Sequence, residues 1–464
     1  MAPLLLLGVT CASLCMPTAP KASNANILRE AEDAHAAELA SDTAAAFLTD
    51  VDSIPNVRFE SSEVGARYAG PDAEVLGEAA ASVHCTTQPL LTRAECMGLR
   101  LEAQAAMAMG LSSDFTYVDV GNIGEVNVRD LPVALPLIRR KMATWLPLLA
   151  DRFQLSAQSL RVCDAVVIRY DCARRATQQP MHRDAALISF NIPLSADFEY
   201  SGGGTCFEGS GEVIRRPLGR LLCHASGMRH AGHQITSGVR WVLVVFLLST
   251  DVPQLPRRCM GIAAQAFADA SDFEDDGEMD HATAAKAKGY AALTTALALS
   301  PADYQLHHDL GSFHLAEGDT ERARRSFHTA ATLRNHRCPR PHGALASLMS
   351  ECGRHRAALR HYEAALDALT SGSQDRLIAR AAAIGAAKCV LALHERHRDA
   401  RASTAEAVRA QMGVAASRLR DALAGLADIE EEREDEQTLE GEELLRRMDQ
   451  LSRAVGVELA AVGT

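Results

Sequence analysis

Between Val133 and Phe153 apolar residues recur at three- and four-residue intervals, at Leu135, Ile138, Met142, Trp145 and Leu148, which is the spacing of one helix face. A second stretch, after Leu91, carries Cys96, Leu99, Leu101, Ala105 and Met107. It opens on Thr92 with Glu95 three residues on, a capping-box pattern in which hydroxyl and carboxylate each satisfy a backbone N–H at the helix start. Another helix is expected across Ile27–Leu48, and a loop over Ser53–Gly70. From Leu160 the pattern changes. Val162–Tyr170 is nearly continuous in apolar and β-branched residues, as a strand buried on both faces would be. Ala185–Leu194, Thr205–Phe207, Val213–Arg216, Arg220–His224 and Val239–Leu248 read as further strands, with Gly202-Gly203-Gly204 as a bend. Many short strands with glycine-rich breaks predict a sandwich or barrel.

After Thr250 the architecture changes again. Pro253, Pro256 and the acidic run Phe273–Asp280 read as a linker, and from about Ala282 the chain is helical. Leu310, Gly311, Gly318, Ala323, Phe327 and Ala330 recur thirty-five residues later as Leu345, Ala346, Gly353, Ala358, Tyr362 and Ala365. Small residues at fixed places let paired helices pack closely, and the period resembles that of tetratricopeptide repeats. Where that repeat places a large aromatic early in each unit, this chain has His307 and His342. An ordinary helical bundle is the alternative. Arg380–Val455 is expected to close the array as a longer helical pair.

Composition alters this picture little. The 464 residues allow two or three domains. A formal net charge of −12 argues against general nucleic-acid binding. Leu4–Met16 is apolar enough for a secretory signal core, with Ser23-Asn24-Ala25 offering a cleavage site, but no Lys or Arg precedes it. Residues 1–25 are therefore read as a signal or an irregular tail, and the compartment as secretory (endoplasmic reticulum) or otherwise cytoplasmic. No run is long enough to cross a bilayer, so no transmembrane segment is expected. The twelve cysteines lack paired or zinc-type spacing and read as buried thiols, with disulfides expected only if the chain is secreted.

Candidate chemistry concentrates between Arg161 and Thr250. Side chains two apart on a strand share a face, so a strand beginning near Met181 would project His182 and Asp184 together. A third ligand could come from His224, His230 or His233. Two imidazoles and a carboxylate on one face of a metal suit non-haem Fe(II) with oxygen chemistry. Arg240 heads the apolar run Trp241–Leu248, and a guanidinium turned inward there is costly unless it meets an anion such as a carboxylate.

The stretches LRVCDAVVIRYD, MHRDAALISFNIPLS, YSGGGTCF and RHAGHQITSGVRWVLVVF resemble the iron- and 2-oxoglutarate-dependent dioxygenases of the prolyl and lysyl hydroxylase type. The resemblance covers roughly Val83–Ser249, and EVNVRDLPVALPLIRRKMATWLPLLADRF fits its lead-in. It selects His230, ten residues before Arg240, as the third ligand with His182 and Asp184. It also implies that Arg240 binds the distal carboxylate of 2-oxoglutarate and that Tyr170, Ser189 and Asn191 line the co-substrate pocket. Fe(2+), 2-oxoglutarate, O2 and L-ascorbate are the implied cofactors, with succinate and CO2 as products. The expected fold is multidomain α+β: a double-stranded β-helix (jelly roll) with flanking helices, then an all-α tetratricopeptide-like helical repeat domain. The expected division is a helical or irregular lead-in (26–82), the dioxygenase domain (83–250), an acidic linker (251–281) and the helical domain (282–464). The implied activity is hydroxylation of a peptidyl prolyl or lysyl side chain, with a peptide or protein substrate recruited by the repeats. The alternatives are the same chemistry on a small molecule or free amino acid, and a non-catalytic scaffold with a vestigial dioxygenase domain.

Overall fold

The computed structural model describes residues 24–63, 73–111, 123–208, 213–334, 338–369 and 376–396, with short pieces between 410 and 450. The candidate signal segment and the acidic run Asp428–Glu436 lie outside the described residues, as does most of Arg380–Val455 beyond Arg396. The chain divides into two compact units, Met1–Leu306 and His307–Thr464.

The first unit opens with α1 (Asn24–Leu39) and α2 (Asp42–Ala46) in place of one helix over 27–48. The break falls where Ser41 turns extended and its hydroxyl accepts the N–H of Ala44, a side-chain cap that competes with helix continuation. β1 (Phe59–Glu63) lies within the expected loop and pairs antiparallel with β2 (Ser82–Thr86); α3 (Ala73–Leu76) lies between them. The predicted capping box starts α4 (Arg93–Ala108): Thr92 N–H donates to Glu95 Oε2 at 2.7 Å, and Glu95 N–H to Thr92 Oγ1 at 3.2 Å. Its buried face is Cys96, Leu99, Ala103 and Ala106, which leaves Leu101 62% exposed. β3 (Gly124–Asn127) precedes α5 (Ala134–Phe153), whose first N–H groups donate to the Glu102 carboxylate of α4.

The remaining strands are β4 (Leu160–Asp171), β5 (Ile188–Pro193), β6 (Tyr200–Gly202), β7 (Thr205–Phe207), β8 (Val213–Ile214), β9 (Leu222–Ala225), β10 (His230–Gly232) and β11 (Ile235–Ser249). They form an antiparallel sheet in the order β1-β2-β9-β5-β11-β4-β3, with β6 attached to β11, and a smaller sheet in the order β10-β7-β8. The architecture is therefore mixed, with antiparallel sheets and many helices. The near-continuous apolar runs of β4 and β11 serve both faces of the large sheet. Ala165, Val167, Phe190, Ile192, Leu243, Val245 and Leu247 join the core with Ile138, Met142 and Trp145 of α5. The alternate residues Val166, Ile168, Tyr170 and Val242 form a second cluster with Tyr200 and Ile235. Period-two alternation thus sends one set of side chains to the helices and the other to the site.

Two further segments of this unit differ from the expected pattern. The strand expected to begin near Met181 does not form: 183–187 carries no strand, and His182 makes only an isolated bridge to His230. Pro180, which lacks an N–H, precedes that segment. The stretch expected as an acidic linker is mostly helix, α6 (Leu255–Asp275), packed against α1 and α7 (Met279–Leu299). Gly289 of α7 seats the ring of Phe267, where a Cβ would come within 2.5 Å of it.

The division between the units falls in α8 (Tyr304–Ala316). In the second unit α9 (Thr320–Leu333) is followed by α10 (Pro339–Glu351), α11 (His355–Ala368) and α12 (Arg376–Arg396). The thirty-five-residue offset has a structural counterpart. Gly318 and Gly353 turn the chain between helices at φ 75° and 68°. Ala323, Phe327 and Ala330 are buried on α9 as Ala358, Tyr362 and Ala365 are on α11. Phe327 rests on Gly311, and Tyr362 on Gly385.

Candidate metal centre

His182, Asp184 and His230 come together. Their ligand atoms lie within 4.8 Å of one another, a grouping that could hold a metal ion. Backbone pairing is what aligns the two histidines: each donates its N–H to the other's carbonyl at 2.9 Å. Asp184 is fixed in turn by its N–H donating to Ser226 O at 3.0 Å. Nε2 of His182 lies 3.2 Å from Asp184 Oδ1, and Nε2 of His230 lies 3.4 Å from Oδ2.

The outer nitrogens are also held. Nδ1 of His182 donates to Pro180 O at 2.8 Å and Nδ1 of His230 to Met228 O at 3.0 Å. A carbonyl can only accept, so each Nδ1 carries a proton, and Nε2 is the nitrogen of each ring that faces the carboxylate and is left for a metal when the ring is neutral. Burial holds His230 down to about 3, with the neighbouring His224 and His182 adding to the effect. For Asp184 burial acts upward, but the imidazoles of His230 and His182 outweigh it and hold the carboxyl well below its usual range. For His182 burial acts downward, and the hydrogen bond and charge of Asp184 prevail and raise it. A neutral His230 beside an ionised Asp184 is the protonation state that metal ligands require, while proton and metal would compete for Nε2 of His182. Buried Asp184 Oδ2 has no hydrogen-bond partner, so the donor set fits a cation.

One cavity takes in these three residues and all four of the expected co-substrate residues: Tyr170, Ser189, Asn191 and Arg240. They reach it from the large sheet, where Arg240 lies opposite Tyr170 and Phe246 opposite Ser189 in register. Thr205 of β7 and His230 of β10 line it from the small sheet. Arg240 is 3% exposed, and its Nε and Nη1 are buried with no hydrogen-bond partner. Its guanidinium carbon lies 4.9 Å from the Tyr170 ring centroid. Burial pushes the Tyr170 phenol up to about 12, so it stays neutral and donates to Gln179 Oε1 at 2.8 Å. Ser189 is engaged by Ser226 at 2.7 Å, and Asn191 Nδ2 donates to Thr205 Oγ1 at 3.4 Å.

No family model matches the sequence, and no curated protein matches it either. Among solved structures the chain is similar to the non-haem α-ketoglutarate-dependent epimerase SnoN from nogalamycin biosynthesis, at 14% identity and TM-score 0.31, over 38% of this chain and 80% of that one. It is similar to a 2OG-Fe(II) oxygenase family oxidoreductase from Burkholderia pseudomallei, at 16% identity and TM-score 0.27, over 40% and 94%. A third is HygX from Streptomyces hygroscopicus with nickel and 2-oxoglutarate bound, at 15% identity and TM-score 0.28, over 36% and 83%.

The other candidate third ligands sit elsewhere. The His224 ring is 4.3 Å from that of His230 and lines the cavity, but it stands outside the three-residue group. His233 is not in the lining, and its N–H donates to Gly204 O at 3.0 Å. Sequence reasoning missed Gln179, Thr205 and Gly232 in the lining. Gly232 had a physical signal only in three dimensions: a Cβ there would lie 2.1 Å from the Tyr170 hydroxyl. Among the described residues all ten cysteines are free, and burial pushes Cys85 up to about 11 and Cys96 up to about 12. No helix among the described residues is long and apolar enough to cross a membrane.

Proposed function

We propose that this protein is an Fe(II)- and 2-oxoglutarate-dependent dioxygenase that hydroxylates a peptidyl prolyl or lysyl side chain and releases succinate and CO2. The observation that carries the chemistry is the buried, unpartnered guanidinium edge of Arg240 in the same cavity as the His182–Asp184–His230 group. A buried cation with two unpaired donors is costly, and a carboxylate that accepts from them would remove that cost.

In this reading His182, Asp184 and His230 hold Fe(II), and Arg240 receives the distal carboxylate of 2-oxoglutarate. Tyr170 supports the guanidinium from one side, while Ser189 and Asn191 supply polar edges along the pocket wall. The bound iron and 2-oxo acid supply the O2 activation that converts an unactivated C–H bond to C–OH. The chain's own part is to orient and to exclude water. Ile168, Val242, Val244 and Phe246 give the cavity an apolar wall, and the carbonyls of Pro180 and Met228 keep both Nε2 atoms aimed inward. L-Ascorbate is expected to sustain repeated turnover. The two sheets are proposed to form a double-stranded β-helix, and the helical pairs to be tetratricopeptide-like repeats that bind the peptide or protein substrate.

The substrate class rests on the sequence stretches around His182 and Gly202–Gly204, and the chemistry on the cavity. Succinate release with Fe(II), 2-oxoglutarate, ascorbate and a panel of prolyl- and lysyl-containing peptides tests both. Peptide-stimulated turnover is expected. Consumption of 2-oxoglutarate that no peptide stimulates would move the substrate to a small molecule. Absence of any 2-oxoglutarate binding would leave a non-catalytic scaffold.

A further inference from the structure

The segment that carries His182 and Asp184 is tied by separate backbone bonds at His182, Asp184 and Leu187 rather than by a continuous strand, and side chains add to its support. Between the two candidate ligands stands Arg183, whose Nη1 and Nη2 donate to Asp303 Oδ2 and Oδ1 at 2.9 and 3.0 Å. Asp303 has a fully buried side chain, and its Oδ1 also accepts the N–H of Gln305 at 3.0 Å, so the carboxylate cannot swing. The next residue continues the chain of contacts. The guanidinium of Arg183 lies over the Tyr304 ring at 5.4 Å, and Tyr304 Oη donates to Glu208 Oε2 at 2.5 Å. Glu208 pairs with Arg229 at 3.2 Å, and Arg229 Nη2 returns to Met181 O at 3.1 Å. Arg229 directly precedes His230, and Met181 directly precedes His182.

We propose that Asp303 and Tyr304 are positioning residues for the metal centre, bracing the His182–Asp184 segment through Arg183 and the His230 segment through Glu208 and Arg229. The inference rests on the reading of His182, Asp184 and His230 as metal ligands. Physically, the network adds charge-assisted side-chain bonds, bidentate at Asp303, to the separate backbone bonds of a segment that forms no strand over 183–187, and such bonds fix geometry better than neutral ones. Asp303 and Tyr304 lie outside the stretch that resembles a dioxygenase, whereas Arg183, Glu208 and Arg229 lie within it.

The test is titration of the full-length, metal-free chain with Co(II) alone, read by visible absorption, alongside its thermal midpoint. Asp303→Asn is expected to weaken Co(II) binding by about tenfold, the scale at which outer partners of metal ligands act. Tyr304→Phe should weaken it in the same direction by less, and Asp303→Glu should recover part of the loss. Arg258→Gln, which breaks a pair with Glu38 away from the cavity, should leave Co(II) affinity unchanged at a similar cost in thermal midpoint. Co(II) affinity within twofold of the parent in both Asp303→Asn and Tyr304→Phe would overturn the proposal, as would a loss that simply tracks stability. If Asp303→Asn does not fold, Tyr304→Phe decides alone, since it removes one hydroxyl. A parent that binds Co(II) no better than His182→Ala would instead sink the metal-centre reading, and the brace with it.

Discussion

Arg240 stands directly opposite Tyr170 across the β11–β4 pair, its guanidinium carbon 4.9 Å from the ring centroid and two of its nitrogens buried without partners. The ring shields one face of the cation while leaving the guanidinium edge for an anion. Arg240→Ala should therefore weaken 2-oxoglutarate by tenfold or more, consistent with about 1.5–3 kcal/mol for a charged hydrogen bond. Co(II) affinity, measured without 2-oxoglutarate, should stay within about twofold. Arg240→Lys should recover only part of the loss, because an ammonium cannot offer the planar fork. Equal weakening of metal and 2-oxoglutarate would remove the anion role.

The choice among neighbouring histidines is equally testable. His182→Ala, Asp184→Ala and His230→Ala should each abolish stoichiometric metal binding, read as metal content after dialysis. His224→Ala should retain it, because that imidazole touches His230 but lies outside the converging group. Its loss should appear instead as a cavity between Phe207 and His230, lowering stability by about 1–3 kcal/mol. Metal lost in His224→Ala and kept in His230→Ala would reassign the third ligand.

Gly232 is required by a neighbour rather than by its own backbone angles. A methyl group there would meet the Tyr170 hydroxyl at 2.1 Å and Cζ at 2.8 Å. Gly232→Ala should push the phenol off Gln179, cost about 1–3 kcal/mol as an overpacked site, and loosen 2-oxoglutarate with it. Tyr170→Phe removes the closest atom, so the double variant should lose less than the sum of the two single losses. Urea unfolding of the four proteins measures the coupling, and strict additivity would show that the two residues do not meet.

What could be picked out from the sequence follows from how each signal is encoded. Arg240 is a cation at the head of an otherwise apolar run, whereas Tyr170, Ser189 and Asn191 were pointed to by the resemblance alone; the register of the large sheet places all four on the cavity face. The Thr92–Glu95 cap is a local contact, so spacing alone predicted it. β1 was invisible because FESSE has no apolar alternation and sits exposed at the sheet edge. Leu101 belongs to the apolar residues of its helix by composition, yet it faces solvent because two residues past Leu99 a helix has turned to its other side. The His182–Asp184 spacing suggested a strand, whereas the backbone joins them to distant residues separately, His182 through an isolated bridge to His230 and Asp184 through its N–H to Ser226 O. α6 was hidden by Pro253, Pro256 and its acidic end; α7 follows it closely, but its other partner, α1, lies far away in sequence.

His84 gives the fold a pH dependence whose sign can be worked out. It is fully buried, with Nε2 donating to Ala79 O at 2.9 Å and Nδ1 accepting from Ser61 at 2.8 Å, so the neutral ring is satisfied. Burial lowers its pKa from 6.5 to about 4, with Arg152 and His224 adding repulsion against the Ala79 carbonyl's opposing pull. In the unfolded chain the same ring takes a proton near pH 6.5, so that state binds more protons as pH falls. Stability from this residue is complete above about pH 6.5, is lost as pH falls toward 4, and changes no further below that. The slope approaches about 1.4 kcal/mol per pH unit within the window. His230 and His224 are also held down by burial and act in the same direction, so the parent must be compared with His84→Gln. Both tryptophans, Trp145 and Trp241, lie in the first unit, and their fluorescence in urea reports its unfolding. His84→Gln should be less stable at pH 7.5 yet lose stability less steeply between pH 6 and 4.5. Parallel curves for the two proteins would mean that His84 is protonated, or exposed, in the folded chain.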